Sequence, residues 1–378
     1  MTSERRATPS RVLDILLLGA NYGLLPAVRC ALAGHRVTVV CRPDEQAALA
    51  SQGVDLDIGR RDGRPGKHIG LPAAPGRAKA PDCLGLLDPA AAEPSDFDLV
   101  ILAMAEPQYA APELASLVAR IGAADCPVIS MMNMVPSSYL RRLGGINVER
   151  LDHVYASAAV WKALDPRRIT AASPDAQAIR LDPTRPGRLT VTLASNFKIA
   201  PFAEAKDQRL LTQLCQDIIC GQDGGVAPPM RLIPYDDRLF VPLAKWPMLI
   251  AGNYRCRRLD GALTTIAAAV HADLAETQRI YEWVANMLLR AGAAPEDLVP
   301  FAKYATAAQS LRLPSSVARG LAAGAVAVER VDRLVAEVAA QQGDYLPELA
   351  RIVASVDHAL DENRQAAART KPAEGIRK

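Results

Sequence analysis

A chain of 378 residues, half of them hydrophobic and 22% charged, can build two ordinary domains with a core each, which excludes a disordered chain. Its 44 Lys and Arg against 41 Asp and Glu leave a formal charge of +3, with no block of like charge in the body of the chain. Nothing in that balance supports binding to nucleic acid.

From Val12 to Asn133 short β-type runs alternate with helix-type runs, the pattern of a parallel sheet with crossover helices. Ile15 to Leu18 reads as the first strand, running into Gly19, and a helix follows from near Tyr22 with Pro26 in its first turn. Gly34-His35 turns the chain into a second strand, Arg36 to Cys41, completing one βαβ unit. A helix is expected from about Asp44 to Gln52, then short strands and loops through the Gly- and Pro-rich stretch from Gly53 to Pro89. Asp98 to Ala103 is apolar enough for a strand buried on both faces. Leu114, Leu117, Val118 and Ile121 give the next helix an apolar stripe, and Pro127 to Met132 predicts another interior strand.

Further strands are expected at His153 to Val160 and Arg188 to Leu193. Beyond Asp237 the apolar periodicity is helical, with helices predicted at about 240–257, 273–291, 314–341 and 346–364. The expected organisation is a disordered N-terminus over 1–11, a Rossmann-type domain over 12–235, a helical C-terminal domain over 236–366 and a polar tail over 367–378. The fold class is therefore α/β, a doubly wound sheet followed by an all-helical domain. Aromatic residues are only 4% of the chain, so both cores should be packed from small aliphatic side chains.

The cysteines at 30, 41, 83, 126, 215, 220 and 256 make no Cys-x-x-Cys pair and have no His at zinc-ligand spacing. No metal site is expected, and the thiols read as reduced and mostly buried, as in a cytoplasmic protein. The apolar run from Val12 to Ala20 is interrupted by Asp14 and has no cleavage site after it. No uninterrupted apolar run reaches the roughly 20 residues that a membrane span needs. The histidines at 35, 68, 153, 271 and 358 are read as structural or surface residues.

The turn Gly19-Ala20-Asn21-Tyr22-Gly23-Leu24 has the placement of a dinucleotide loop, where glycines allow close backbone approach to a pyrophosphate at a helix N-terminus. The usual Gly-x-Gly-x-x-Gly spacing would put glycine at 21 and 24. Asn21 stands at the first of these, and an Asn accepts positive φ more readily than other side chains. Read alone, the turn could equally be a plain strand-to-helix connection. The second strand ends in Arg42 without the acidic residue that takes the ribose hydroxyls of NAD, which favours NADP.

Several segments together resemble the ketopantoate reductase family. They are Ile15-Leu16-Leu17-Leu18-Gly19-Ala20, Ala33 to Arg42, Gly53-Val54-Asp55-Leu56, Asp98 to Ala103 with Gln108, and Pro127 to Asn133. The resemblance covers roughly 12 to 360. It implies cofactor contacts from Gly19, Asn21, Tyr22 and Gly23 of the turn and from Arg42, Ala103 and Gln108, and it sets Asn133 beside the nicotinamide and substrate. It also implies a helical domain of the 6-phosphogluconate dehydrogenase C-terminal type opening on a catalytic Lys. Lys245, Leu249 and Asn253 follow that i, i+4, i+8 spacing, which on one continuous helix shares a broad side. Leu313-Pro314-Ser315-Ser316 matches the family's Ser-Ser segment, giving Ser316 as a substrate contact, and Glu329 stands one residue from the register of its carboxylate partner. Ser315 and Ser316 could also simply cap a helix.

The resemblance implies hydride transfer from NADPH to a 2-oxo acid, with Lys245 as proton donor and Asn133, Asn253, Ser316 and Glu329 as substrate contacts. The expected partner is a small carbonyl compound, and the expected assembly a homodimer. Ala105 replaces the family's Lys after the fourth strand, Met134 follows Asn133 in place of Gly, and Tyr254-Arg255-Cys256-Arg257-Arg258 follows Asn253. These departures leave open an imine or a larger carboxylate recruited by Arg255, Arg257 or Arg258, and also a catalytically silent dinucleotide-binding protein.

Overall fold

The computed structural model describes residues 11–59, 67–173, 178–191, 195–220, 230–258 and 260–370. The chain divides into two compact units, Met1–Arg142 with Ser157–Pro242, and Leu143–Ala156 with Leu243–Lys378. Most of the expected disordered N-terminus, and the polar tail beyond 370, lie outside the described residues.

The first unit carries the strands β1 Asp14–Leu18, β2 Arg36–Val40, β3 Val54–Ile58, β4 Lys67–Leu71, β5 Ala73–Pro75, β6 Leu84–Leu87, β7 Leu99–Leu102, β8 Val128–Ser130 and β9 Ile169–Ala171, followed by β10 Ala178–Ile179, β11 Arg188–Val191, β12 Ser195–Ile199 and β13 Met230–Pro234. Its helices are α1 Leu24–Leu32, α2 Pro43–Gln52, α3 Pro112–Ala123, the short α4 Ser137–Leu140 and α5 Ala158–Lys162, and α6 Ala205–Cys220. Seven strands form one parallel sheet in the order β5-β6-β2-β1-β7-β8-β9. From β6 onward this is the doubly wound dinucleotide-fold order, and it reverses direction between β1 and β7. Ile15–Leu18 and Leu99–Leu102 are all fully buried, as expected of central parallel strands covered on both faces. A second sheet, β10-β11-β3-β4, and the pair β12-β13 complete the unit.

The second unit is helical among the described residues, with α7 Trp246–Ala251, α8 Ile266–His271, α9 Leu274–Arg290, α10 Phe301–Ala308, α11 Ser316–Ala322, α12 Val331–Gln341 and α13 Pro347–Thr370. This Rossmann-type unit and all-helical unit are the expected fold class. Ala367 to Thr370, expected to start the tail, close α13. No helix among the described residues is long and apolar enough to cross a membrane. All seven cysteines are free, and five of them are buried.

Two expectations about elements fail here, and one helix was not foreseen. The strand predicted at His153 to Val160 is a 3-10 turn, Val148–Val154, followed by α5. A short apolar run buries equally well in either form, and tertiary packing decides between them. The helix predicted at 314–341 is two helices, parted near Gly324, whose φ of +84° ends a helix. Finally, α6 was not foreseen, although Asp207, Leu211, Leu214, Cys215 and Ile218 mark one buried helical face.

The helix α6 is tied to the sheet by charge. Arg168, just before β9, donates through Nε to Asp207 at 2.5 Å and through a terminal nitrogen at 3.2 Å, and it also pairs with Asp125. Burial works against the guanidinium's charge, but the two carboxylates outweigh it and its pKa rises. Arg168 is 8% and Asp207 3% exposed, so removing either partner strands the other in the interior. Asp207→Ala is expected to destabilise the protein by about 3–5 kcal/mol. Asp125→Asn, at the exposed end of the same network and still suited to the local φ of +51°, should cost only about 0–1 kcal/mol. Urea unfolding of both variants measures the difference.

Candidate functional site

The chain leaves β1 into the glycine turn at the point where the sheet order reverses. Gly19 has φ +118°, and a Cβ there would stand 2.7 Å from the Ala103 carbonyl oxygen and 2.5 Å from Met104 Cγ. Its N–H donates to the Val40 carbonyl at 3.0 Å, while the Ala103 N–H donates to the Leu18 carbonyl at 2.9 Å. The ends of β1, β2 and β7 are thereby laced together at Leu18 and Gly19. Gly23 begins α1, and a Cβ there would fall 2.3 Å from the Gly19 carbonyl oxygen and 2.9 Å from Leu17 Cδ2. The two glycines therefore do what the fingerprint asks of a tight turn and of close helix–strand packing, at the spacing Gly-x-x-x-Gly.

Asn21 does not stand in for a glycine. Among the described residues the one non-glycine with positive φ is Asp125, so the expectation of a positive φ at Asn21 is overturned. The turn needs only one left-handed residue, and Gly19 supplies it. Asn21 is exposed. Tyr22 reaches out of the turn, and its hydroxyl donates to the Met131 carbonyl just past β8.

At the end of β2, Arg42 is 70% exposed and pairs with Asp44 at 3.3 Å and Glu45 at 3.6 Å, both in the first turn of α2. Acids are thus present beside the strand end, two and three residues past Arg42 and not at the strand's last position. Glu45 also meets Arg180 at 3.2 Å, and Arg180 donates to the Ala20 carbonyl at 2.6 Å. Sequence reading passed over Arg180, which lies 160 positions from Ala20 and belongs to no local motif.

Ala103 is buried, whereas Gln108 is exposed with its amide oxygen accepting the Ala105 N–H at 3.1 Å. Asn133, half-buried, follows β8 in a segment anchored by the Met131 N–H on the Leu102 carbonyl at 2.8 Å. The sheet therefore brings Gly19, Gly23 and Ala103 into contact and carries Asn133 on the neighbouring strand end.

In the helical unit, the helix expected over 240–257 is broken. Val241–Lys245 is a 3-10 turn, α7 covers Trp246–Ala251, and a second 3-10 turn begins at Asn253. Gly252, at φ −129° and ψ −67°, stops α7. A Cβ on it would lie 2.1 Å from the Tyr304 hydroxyl, which donates to the Met248 carbonyl at 3.1 Å. Lys245 and Asn253, both half-buried, consequently lie on separate turns, and the shared-side argument from one continuous helix does not hold.

Other contacts gather the remaining candidates. Ser315 caps α11, its hydroxyl accepting the Ala318 N–H at 3.2 Å and donating to the Asn253 carbonyl at 2.6 Å. The capping reading is thus correct for Ser315, and Ser316 is exposed at the first position of α11. The Tyr254 hydroxyl donates to the Glu329 carbonyl at 2.5 Å and accepts the Val331 N–H at 3.0 Å. Burial, reinforced by Asp332 and Glu329, pushes its pKa well above the ordinary tyrosine value, so it stays a neutral donor. The Asn253 backbone is thus held by Ser315, and the backbone of Glu329, itself buried, by the neighbouring Tyr254. Arg255 is committed to Glu276 and to Thr277 Oγ1 at 2.7 Å, whereas Arg258 is exposed beside Asp260. Among the described residues no cluster of His, Cys, Asp or Glu could hold a metal ion.

A doubly wound parallel sheet with a glycine turn at its reversal point, followed by a helical unit, is the fold of the ketopantoate reductases. A candidate ketopantoate reductase from Ralstonia solanacearum MolK2 superposes with a TM-score of 0.67 at 16% identity, over 94% of this chain and 99% of that one. D-mandelate dehydrogenase, solved with NADH and anilino(oxo)acetate, gives 0.62 at 13% identity over 93% and 99%. The dimeric ketopantoate reductase from Staphylococcus aureus gives 0.55 at 10% identity over 93% and 100%. No protein-family model matches the chain, and no curated protein matches it.

Gly19→Ala forces a side chain into a left-handed backbone against a carbonyl oxygen, and is expected to lower stability by about 1–3 kcal/mol. Asn21→Ala, on an exposed residue of ordinary φ, should stay within about 0.5 kcal/mol of the parent. Denaturant unfolding of the two variants side by side checks the assignment of the strained position.

Proposed function

We propose that this chain is a divergent member of the ketopantoate reductase family, a cytoplasmic, homodimeric oxidoreductase that uses NADPH to reduce a 2-oxo acid to a 2-hydroxy acid. The observation that carries the reading is the turn at Gly19. A positive-φ glycine and a close-packed second glycine sit where the sheet order reverses, in a chain that follows the reductase fold over 94% of its length. This cradle, which a Cβ would fill, fits a nicotinamide dinucleotide, whose pyrophosphate the turn from Gly19 to Gly23 would hold and whose ribose phosphate Arg42 would hold. Ala103 and Gln108 would flank the nucleotide from the end of β7. When bound, the cofactor supplies the hydride.

The remaining roles fall to side chains. Lys245 would hold a proton at Nζ and give it to the carbonyl oxygen of the substrate, its positive charge also stabilising the oxyanion as the carbonyl carbon is reduced. Asn133 would orient the carbonyl beside the nicotinamide. Asn253 would bind the substrate by its amide, from a backbone that the Ser315 hydroxyl holds in place. Ser316 and Glu329 would complete the substrate contacts. The homodimer is proposed by analogy with the dimeric reductase of the same fold.

Lys245→Met keeps most of the apolar stem and loses the proton. It is expected to lower kcat by about 10²–10⁴ and to leave NADPH affinity within about twofold, because the residue serves the substrate and not the nucleotide. Steady-state rates on a panel of 2-oxo acids, followed by NADPH oxidation, with nucleotide affinity from calorimetry, make the test. An unchanged kcat on a substrate the parent reduces would remove Lys245 as the acid.

A further inference from the structure

Between the glycine turn and the first turn of α2 runs a chain of charges that the sequence motifs do not contain. Arg180 follows β10 in the second sheet and reaches both structures, donating to the Ala20 carbonyl at 2.6 Å and to the Glu45 carboxylate at 3.2 Å. Its side chain is 19% exposed, and its buried Nε has no hydrogen-bond partner among the described residues. On the far side of the same carboxylate stands Arg42, with Nε 3.6 Å from Glu45. Two guanidinium groups from distant parts of the chain therefore bracket one carboxylate between the ends of β1 and β2.

That place is chemically specific. In a dinucleotide fold the adenosine ribose lies between the turn after the first strand and the end of the second, and a 2′-phosphate needs cations there. A lone exposed Arg with two neighbouring acids is a poor phosphate site, since its charge is already matched by Asp44 and Glu45. A second, largely buried guanidinium changes the balance. A phosphate brings about two negative charges and three acceptor oxygens, and can displace a single carboxylate from a pair of Arg forks.

We infer that Arg180 is a cofactor-binding residue that, together with Arg42, holds the 2′-phosphate of NADP, with Glu45 as the competing anion that occupies both guanidiniums until the phosphate arrives. The inference rests on the dinucleotide reading above and adds the residue that sets its preference. The alternative role for Arg180 is a strut tying β10 to the turn. A strut would support every nucleotide equally and would show in thermal stability.

The test is the ratio of NADPH to NADH affinity, measured by calorimetry on the full chain, with melting temperature recorded in parallel. Arg180→Ala is expected to weaken NADPH by about 10–100-fold, the loss of charge-assisted phosphate bonds, and to change NADH by less than about threefold. Glu45→Gln removes the competitor and should strengthen NADPH by about two- to fivefold while leaving NADH unchanged or weaker. A parent protein that binds both nucleotides while Arg180→Ala weakens them equally, or not at all, overturns the role of Arg180 and leaves the dinucleotide reading standing. A parent that binds neither nucleotide overturns both. Should Arg180→Ala fail to fold, Arg180→Met, which keeps the apolar stem and loses the charge, takes its place, and an unchanged ratio of NADPH to NADH affinity overturns the inference.

Discussion

The backbone of Gly19 is the constraint on which the first unit turns. Its N–H closes onto Val40 of β2, its carbonyl oxygen lies under Gly23, and its Cα faces the Ala103 carbonyl at the end of β7. Three strand ends meet there, and any side chain would push one of them away. The left-handed φ turns the chain sharply enough that α1 starts within five residues and packs back over Leu17. On the proposed reading a phosphate-bearing ligand would use that same geometry, because the turn that admits no Cβ presents backbone to the crevice above the sheet.

Charge around this turn is arranged across distance. Glu45 comes from the start of α2, Arg42 from the end of β2, and Arg180 from a separate sheet. None would be read as a group from the sequence, and the partial burial of Arg180 makes its charge count for more than that of the exposed Arg42. The first unit therefore holds one carboxylate between two guanidinium groups. The converse arrangement, a buried Arg between two carboxylates, secures α6 through Arg168, Asp207 and Asp125. There it serves stability, because Arg168 and Asp207 are both enclosed.

The helical unit departs most from what a repeating pattern suggests. Pro247 lacks an N–H and suits the first turn of a helix, and Gly252 leaves room for the Tyr304 hydroxyl, so the stretch from Val241 to Arg255 is three short turns. Asn253 then takes its position from Ser315, and Glu329 from Tyr254. Long-range hydrogen bonds between short elements do the work that a single helix face would otherwise do. The candidate substrate residues thus depend on the packing of α7, α10, α11 and α12 together.

Much of the fold was legible in the residues themselves. The apolar runs of β1, β2 and β7, the glycine turn and the helical C-terminal half all follow from local patterns, since a strand buried on both faces and an amphipathic helix each write their burial into consecutive residues. Gly19 was legible for the same reason, as the residue at the end of the first strand. What tertiary structure alone decided are the features made by residues far apart in the chain. These are the helical form of the segment around Val160, the seat of the Tyr304 hydroxyl against Gly252, and the meeting of Arg180 with the turn. In each case local propensity permits more than one outcome, and the choice falls to a neighbour that becomes adjacent only when the chain has folded.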